Sequence, residues 1–379
     1  MSLNLDKSAW KRVAFGDVVR NLNNTVKDPA VEGIDRVIAM EHLNPGELKI
    51  NRWGSIEDGT TFTRRVKPGQ TLFGKRRAYQ RKAAYAEFDA ITSGDILVFE
   101  ADPTQLLPEF LPFLVQSDGF YDHALGTSAG SLSPRTNWRD LSNYEFDLPP
   151  LDEQQRLADL FWALERYGLS IRERADRAWD AAAVVLRHAW EAERKVPLGD
   201  IGECVTGSTP SKANADYWNS EDVPFYTPSE IDGEFIASAR QRVSLAGAKA
   251  GRMLPRNAVA VACIGGDLGK SAVVVEPGIS NQQITSVIGL PADDAELLQA
   301  VLAHPLGRAA LQARETTTIV RKLNKSDLMK VEVPWPADRT TLHAVVRARR
   351  TATVGATDEA SRLATLRSGL TAEIFGGAE

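Results

Sequence analysis

Asn137-Trp138-Arg139-Asp140-Leu141-Ser142-Asn143-Tyr144-Glu145-Phe146-Asp147-Leu148-Pro149-Pro150 is answered 187 residues later by Asn324-Lys325-Ser326-Asp327-Leu328-Met329-Lys330-Val331-Glu332-Val333-Pro334-Trp335-Pro336. Asn137 matches Asn324, Asp140-Leu141 matches Asp327-Leu328, Glu145 matches Glu332 and Pro149 matches Pro336, with no gap. The register reaches back to Glu109 and Leu111, opposite Glu296 and Leu298. Nearer the start, Phe15-Gly16-Asp17-Val18 returns as Leu198-Gly199-Asp200-Ile201, and Ile91-Thr92-Ser93 as Ile284-Thr285-Ser286. Solenoid repeats have periods of roughly 20–50 residues, so a repeat this long is a duplicated domain. Two similar domains imply an approximate two-fold arrangement, and a ligand or partner with two similar halves.

Each copy opens with strand-like material. Residues 36–40, 71–73 and 95–99 read as strands in the first copy, and 258–264, 272–275 and 284–288 in the second. Turns at Asn44-Pro45-Gly46, Lys67-Pro68-Gly69 and Glu276-Pro277-Gly278 punctuate them. A helical stretch follows at 109–125 and again at 296–313, where Pro112 and Pro305 are expected to bend or interrupt it. Both copies then change character. From Leu151 to about Ala192, Leu157, Leu160, Leu164, Tyr167, Ile171, Ala175, Ala178, Ala182, Val185 and Ala189 recur at steps of three and four, the seam of a coiled coil. Asp152 and Glu153 suit the first turn of that helix. A second such stretch runs from after Trp335-Pro336 to about Phe375, with the weaker seam Leu342, Val345, Ala352, Leu363, Leu366, Leu370 and Ile374, and ends at Gly376-Gly377. The expected fold is α/β (α+β): two similar domains, each followed by a long helix, the helices packed antiparallel as a coiled-coil spacer with pseudo-two-fold symmetry.

With 379 residues there is room for two or three domains, each with its own core. No apolar run approaches the ~20 residues that span a bilayer, and the stretch from Met1 to Lys7 has no apolar signal core, so a cytoplasmic location is expected. Cys204 and Cys263 both lie in the second copy, which argues against a disulfide framework or a duplicated metal site. The net charge of −5 hides an uneven distribution. Between Gly59 and Ala86 there is no acid and there are eight bases: Arg64, Arg65, Lys67, Lys75, Arg76, Arg77, Arg81 and Lys82. Between Phe235 and Gly266 there are five (Arg240, Arg242, Lys249, Arg252, Arg256), again with no acid. A solvated face normally mixes signs, so one-sign stretches in both copies point to an anionic partner.

Enzyme signatures fare poorly. Leu148-Pro149-Pro150-Leu151 lacks both the amide and the aromatic ring of an amino-methylation motif. Gly265-Gly266-Asp267-Leu268-Gly269-Lys270-Ser271 lacks phosphate-loop spacing and reads as a turn. Asp35 with Glu47-Leu48-Lys49 mimics a nuclease metal site but has no second-copy equivalent. His42, His123, His188, His304 and His343 are scattered, with no ligand pair at helical spacing.

Taken in order, Ile38-Ala39-Met40-Glu41-His42-Leu43-Asn44-Pro45-Gly46, then Leu72-Phe73-Gly74-Lys75-Arg76-Arg77-Ala78-Tyr79, then Leu148-Pro149-Pro150-Leu151-Asp152-Glu153-Gln154-Gln155 resemble the specificity (S) subunits of type I restriction–modification systems. Gly269-Lys270-Ser271-Ala272 and Asn281-Gln282-Gln283-Ile284 resemble the second-domain counterpart. The resemblance covers nearly the whole chain. It implies target recognition domains at 1–150 and 196–336, a central helix at 151–195 and a C-terminal helix at 337–379. It further implies a non-catalytic subunit that reads a bipartite double-stranded DNA target, one half per domain. The helices would set the gap and dock two methyltransferase (M) subunits. No cofactor is then expected on this chain: S-adenosylmethionine sits on the methyltransferase, and ATP and Mg²⁺ on an additional restriction (R) subunit. No membrane partner is implied.

Major-groove chemistry assigns candidate residues. Arg and Lys suit guanine, and Asn and Gln suit adenine. Lys75, Arg76, Arg77, Arg81 and Lys82 around Tyr79 offer the first kind, and Asn281, Gln282 and Gln283 near Lys270 the second. The amides of the Asn-Gln-Gln run could equally serve loop backbone at an exposed strand start. Arg64, Arg65 and Lys67 suit phosphates, and Lys249 and Arg252 complete the second copy's candidates. The docking junction and seam fall on Glu153, Gln154, Leu157, Leu160, Leu164, Ile171, Leu363, Leu366 and Leu370. The second junction departs from this pattern: Thr340 and Thr341 replace Glu153 and Gln154, which puts partner docking on that side in question. The competing reading, from another class, is a duplicated, non-catalytic adaptor that assembles proteins and reads no DNA.

Overall fold

The computed structural model describes residues 5–130, 133–218, 220–317 and 321–376; Met1 and Gly377, invoked above, lie outside them. The chain forms two compact units, Met1–Ile171 with Asp358–Glu379, and Arg172–Thr357. In the first, Val19–Leu22, Ile96–Ala101, Thr71–Gly74 and Ala83–Tyr85 form one antiparallel sheet. A second sheet holds Gly54–Ser55, Arg36–Ile38, Ala90–Thr92 and Arg64–Val66. Side chains alternate across a strand, so Phe73, Leu97 and Phe99 enter one core while Leu72, Ile96 and Val98 enter another. Burial on both faces is why these strands read as nearly continuous apolar runs.

The second unit repeats the plan. Glu203–Thr206, Ile284–Ile288, Val259–Ala262, Ser271–Val274 and Phe235–Ile236 make one sheet, and Gln241–Val243, Val223–Tyr226, Gly278–Ser280 and Met253–Leu254 the other. Val259, Val261 and Val287 face one core; Ala260, Ala262 and Ile284 face the other. The Phe15 and Leu198 segments are equivalent, as the sequence indicates. Phe15 N donates to Tyr144 O (2.7 Å) and Gly16 N to Ser142 O (2.9 Å), matched by Leu198 N to Val331 O (2.9 Å) and Gly199 N to Met329 O (3.0 Å).

Strand pairing corrects one element of the repeat. Ile91 and Thr92 lie parallel to Val37 and Ile38. The strand in that place in the second unit carries Ile279 and Ser280, parallel to Phe225 and Tyr226. Ile284–Ile288 instead pairs with Glu203–Thr206 and Val259–Ala262, as Ile96–Ala101 pairs with Val19–Leu22 and Thr71–Gly74. The matched tripeptides thus sit one strand out of step. Both strands are buried and select the same small and β-branched residues, so three identities do not distinguish them.

The middle helical stretches are also broken, but not always where proline stands. Pro112 falls in the first turn of Leu111–Val115, where its missing N–H is no loss. The break comes at Ser117, whose hydroxyl caps Asp118–Gly126 by accepting from Phe120 N. In the second unit Ala292–Ala303 does stop ahead of Pro305, which opens Pro305–Gln312.

The long helices are Leu151–Ala192 and Thr340–Phe375. At 42 residues the first is about 60 Å long. Each serves both units, half to each. In the first unit Leu157, Ala158, Phe161, Leu370, Ile374 and Phe375 close the core, with Leu160, Leu164 and Leu366 at its margin. Ile171 is buried, and Leu363 is half-buried, placed to meet a side chain at Gly168. Arg367 pairs with Glu165 (3.5 Å), and Tyr167 Oη donates to Glu359, so these segments run antiparallel. In the second unit Leu186, Ala189, Trp190, Leu342 and Val346 join the core, and Arg349 stacks 4.2 Å over Trp179.

The two junctions are tied down by different chemistry. Gln154 is fully buried. Its amide nitrogen donates to Gln105 O and Pro149 O (both 2.8 Å), and its oxygen accepts from Leu107 N (2.9 Å). It is therefore an internal lock rather than an exposed docking group. Glu153 accepts from Trp10 Nε1 at 2.8 Å and pairs with Arg156. The second junction lacks that amide and uses charge. Arg339 forks onto Asp294 (3.0 and 3.1 Å), His343 reaches the same carboxylate (2.8 Å), and Arg347 and Arg350 take Asp293 and Glu296. Burial pushes Asp294 up, but the hydrogen bonds from Arg339 and His343 prevail and hold it below the usual carboxylate range.

Gln154→Ala strands one buried donor and two acceptors, so it should cost about 1–3 kcal/mol in urea denaturation. Gln155→Ala, one residue on and exposed, should stay within about 0.5 kcal/mol of the parent. Equal midpoints for the two variants would contradict the lock.

Candidate nucleic-acid interface

The basic stretch of the first unit is organised by one loop. Strand Thr71–Gly74 is buried throughout, then leaves the sheet at Lys75 and re-enters at Ala83. Gly74 N donating to Lys82 O (2.8 Å) closes the loop. Lys75 N donates to Asp95 O, Arg77 N to Pro134 O and Thr136 N to Lys75 O, each at 2.9 Å. Arg77 and Arg81 adopt left-handed conformations, φ 53° and 51°. Such a conformation costs a residue with a Cβ about 1–2 kcal/mol.

The loop gathers positive charge. Arg76 Nε lies 2.9 Å from Asp95 Oδ1, an ion-pair contact off the line of a hydrogen bond, and Arg135 Nη2 lies 4.0 Å from the same oxygen. Burial pulls the Lys75 ammonium below its ordinary range; Asp95 opposes this, while Arg64, Arg135 and Arg76 reinforce it. Arg64 donates to Ile96 O and is likewise lowered by burial. Lys75, Arg76 and Arg135 thus share the one carboxylate of Asp95, with Arg64 close enough to act on Lys75. Arg77 and Tyr79 are exposed on the same loop, Tyr79 at 57%.

The other predicted bases are placed differently. Arg65 is held by Glu32 and by Asp89 (3.0 Å). Arg81 pairs with Asp118, donates to Gln116 O (3.2 Å) and lies 4.8 Å over Tyr121. Lys82 Nζ donates to Met40 O (2.7 Å). Lys67 is exposed in its turn.

The second unit rebuilds the backbone of this loop. Ala262 N donates to Lys270 O (2.9 Å), Cys263 N to Gln283 O (2.8 Å), Gly265 N to Arg321 O (3.0 Å) and Leu323 N to Cys263 O (2.8 Å). Arg77 thus corresponds to Gly265 and Arg81 to Gly269, glycines at φ 92° and 88°. Lys270 corresponds to Lys82 and pairs with Asp267. The Asn281-Gln282-Gln283 turn corresponds to Ser93-Gly94-Asp95. Gln283 N donates to Asn281 Oδ1 (3.0 Å) as Asp95 N does to Ser93 Oγ (3.3 Å). The amides are partly committed: Asn281 Nδ2 donates to Gln283 Oε1, and Gln282 Oε1 accepts from Thr209, both at 2.8 Å. Arg252 donates to Thr206 O (2.7 Å), beside the segment that holds Gln282, whereas Lys249 lies exposed at the end of helix Leu245–Ala250.

Sequence reasoning missed Arg135 and Lys322. They form equivalent backbone bridges, to Arg76 and to Ile264. The 187-residue register already pairs them, two residues before Asn137 and Asn324. Asp35 and Lys49 do not form the mimicked nuclease triad: Lys49 pairs with Glu87 and Glu47 accepts from Asn44. Among the described residues no group of three or more His, Cys, Asp or Glu could hold a metal ion, and no helix is long and apolar enough to cross a membrane.

The family model described as the type I restriction modification DNA specificity domain matches residues 8–175. The HindI specificity subunit of Haemophilus influenzae is 20% identical, over 87% of this chain and 90% of that protein. Among solved structures, the type I restriction–modification S subunit of M. genitalium is similar in fold over the whole of both chains, with a TM-score of 0.62 at 12% identity. A chain from a structure of type I restriction–modification complex assembly gives 0.58 at 18% identity, over 97% of this chain and 98% of that one.

Arg77→Gly relieves the left-handed backbone and should stabilise the fold by about 0.5–1 kcal/mol. A lowered denaturation midpoint would show instead that the arginine side chain supports the loop.

Proposed function

We propose that this chain, a member of the type I specificity-subunit family, is the non-catalytic, DNA-reading component of a type I restriction–modification complex in the cytoplasm. The observation that carries the reading is one loop framework built twice, cationic in the first unit and amide-bearing in the second. Each recognition domain, 1–150 and 196–336, contacts one half of a bipartite duplex target. Arg64, Lys75, Arg77 and Arg135 engage phosphates in one half; Arg252, Lys322 and the Asn281–Gln283 turn engage the other. Arg65 and Arg81 are spent on carboxylates and serve the fold. The helices at 151–195 and 337–379 set the gap and carry two methyltransferase subunits. S-adenosylmethionine belongs to those subunits, and ATP and Mg²⁺ to the restriction subunit that joins them.

The test is duplex binding by the chain co-expressed with its methyltransferase subunit, across a salt series. Neutralised phosphates release counterions, so affinity should fall about a hundredfold or more between 50 and 200 mM salt. Salt-independent or absent binding would favour the adaptor reading. A geometric test follows from the unit borders at 171/172 and 357/358. Four residues inserted into both helices at those points add ~6 Å against ~3.4 Å per base pair. The methylated motif should then widen by about one or two base pairs; an unchanged gap would refute the spacer.

A further inference from the structure

The duplicated loop holds different side chains at matched positions. Backbone bridges make Arg76 the counterpart of Ile264, and the shared turn makes Asp95 the counterpart of Gln283. Arg76 is partly exposed, with Asp95 2.9 Å from its Nε, and among the described residues no hydrogen bond consumes its terminal nitrogens. Asp95 holds the guanidinium from its Nε side, which limits the rotamers lost on binding. Two parallel N–H groups match O6 and N7 of guanine.

The second unit has no arginine here. Gln283 Oε1 takes one hydrogen bond, from Asn281 Nδ2, and keeps a lone pair. Its Nε2 donates to nothing among the described residues. One donor beside one acceptor matches N7 and the amino group of adenine.

We propose that Arg76, with Asp95 as its positioning residue, reads a guanine in one half-site, and that Gln283 reads an adenine in the other. This rests on the DNA-reading function above.

The experiment is methylome mapping of the full complex in a host without other methylation, comparing the parent with Arg76→Lys, Asp95→Asn and Gln283→Glu. Arg76→Lys keeps the charge but loses the bidentate fork. It should relax one guanine in one half-site, with discrimination falling about 10- to 100-fold, and leave the other half-site intact. Asp95→Asn should relax the same base pair. A structural role alone would lower methylation at every site without changing the motif. Gln283→Glu, which loses the amide donors, should change one adenine position in the opposite half-site only. A parent motif without two halves would overturn the DNA-reading function itself. A bipartite parent motif left unchanged by Arg76→Lys and Gln283→Glu, or weakened equally in both halves, would overturn this assignment alone.

Discussion

The structure depends on a burial constraint shared by two helices. Each unit's large core is closed by half of each long helix: by Leu157, Phe161, Leu370 and Ile374 in one, and by Leu186, Trp190, Leu342 and Val346 in the other. Within each unit, a slip of either helix segment would withdraw apolar groups from that unit's core, at roughly 1.5–3 kcal/mol for each fully buried side chain. Helix register is thus fixed by packing rather than by caps or propensity, which are worth far less. Gly168 and Thr357 sit in the middle of helices that isolated peptides would struggle to maintain.

Each junction secures its helix by its own means, and the difference has physical consequences. An amide sealed behind the first junction is indifferent to salt and pH. The second depends on Arg339, His343, Arg347 and Arg350 against Asp293, Asp294 and Glu296. Asp294 has a lowered folded-state pKa, so its contribution is complete above the unfolded carboxylate value and fades as pH falls through the folded one. The buried Arg349–Glu234 pair at 2.6 Å adds a contact that is costly to break, because either partner alone would be an uncompensated charge.

Much of this was legible in the sequence, for identifiable reasons. The first long helix spans the residues its three-and-four periodicity marks, because that pattern persists over many turns and prolines bound it. Strands such as Ile284–Ile288 were visible because burial on both faces leaves no polar interruption. The pairing of Ile91-Thr92-Ser93 failed because adjacent buried strands draw on one small alphabet. Pro112 misled because its effect depends on its distance from a helix start that a single sequence does not mark. Arg135 was invisible as part of a cluster: it follows a Gly- and Ser-rich stretch, and its contact with Asp95 spans 40 residues of chain. Gln154 falls at a junction the sequence marks, but only the fold reveals that it faces inward.

The left-handed positions of the duplicated loop set different rules for future change. At Gly265 and Gly269 almost any substitution meets a backbone penalty of about 1–2 kcal/mol, whatever the new side chain could do. At Arg77 and Arg81 that penalty is already part of the folded state, and exchanging one side chain for another adds little to it. The first loop is therefore the more evolvable of the two, able to sample new surface chemistry one codon at a time. In the second, novelty has an easier route through the neighbouring Asn281–Gln283 turn, whose backbone makes no such demand.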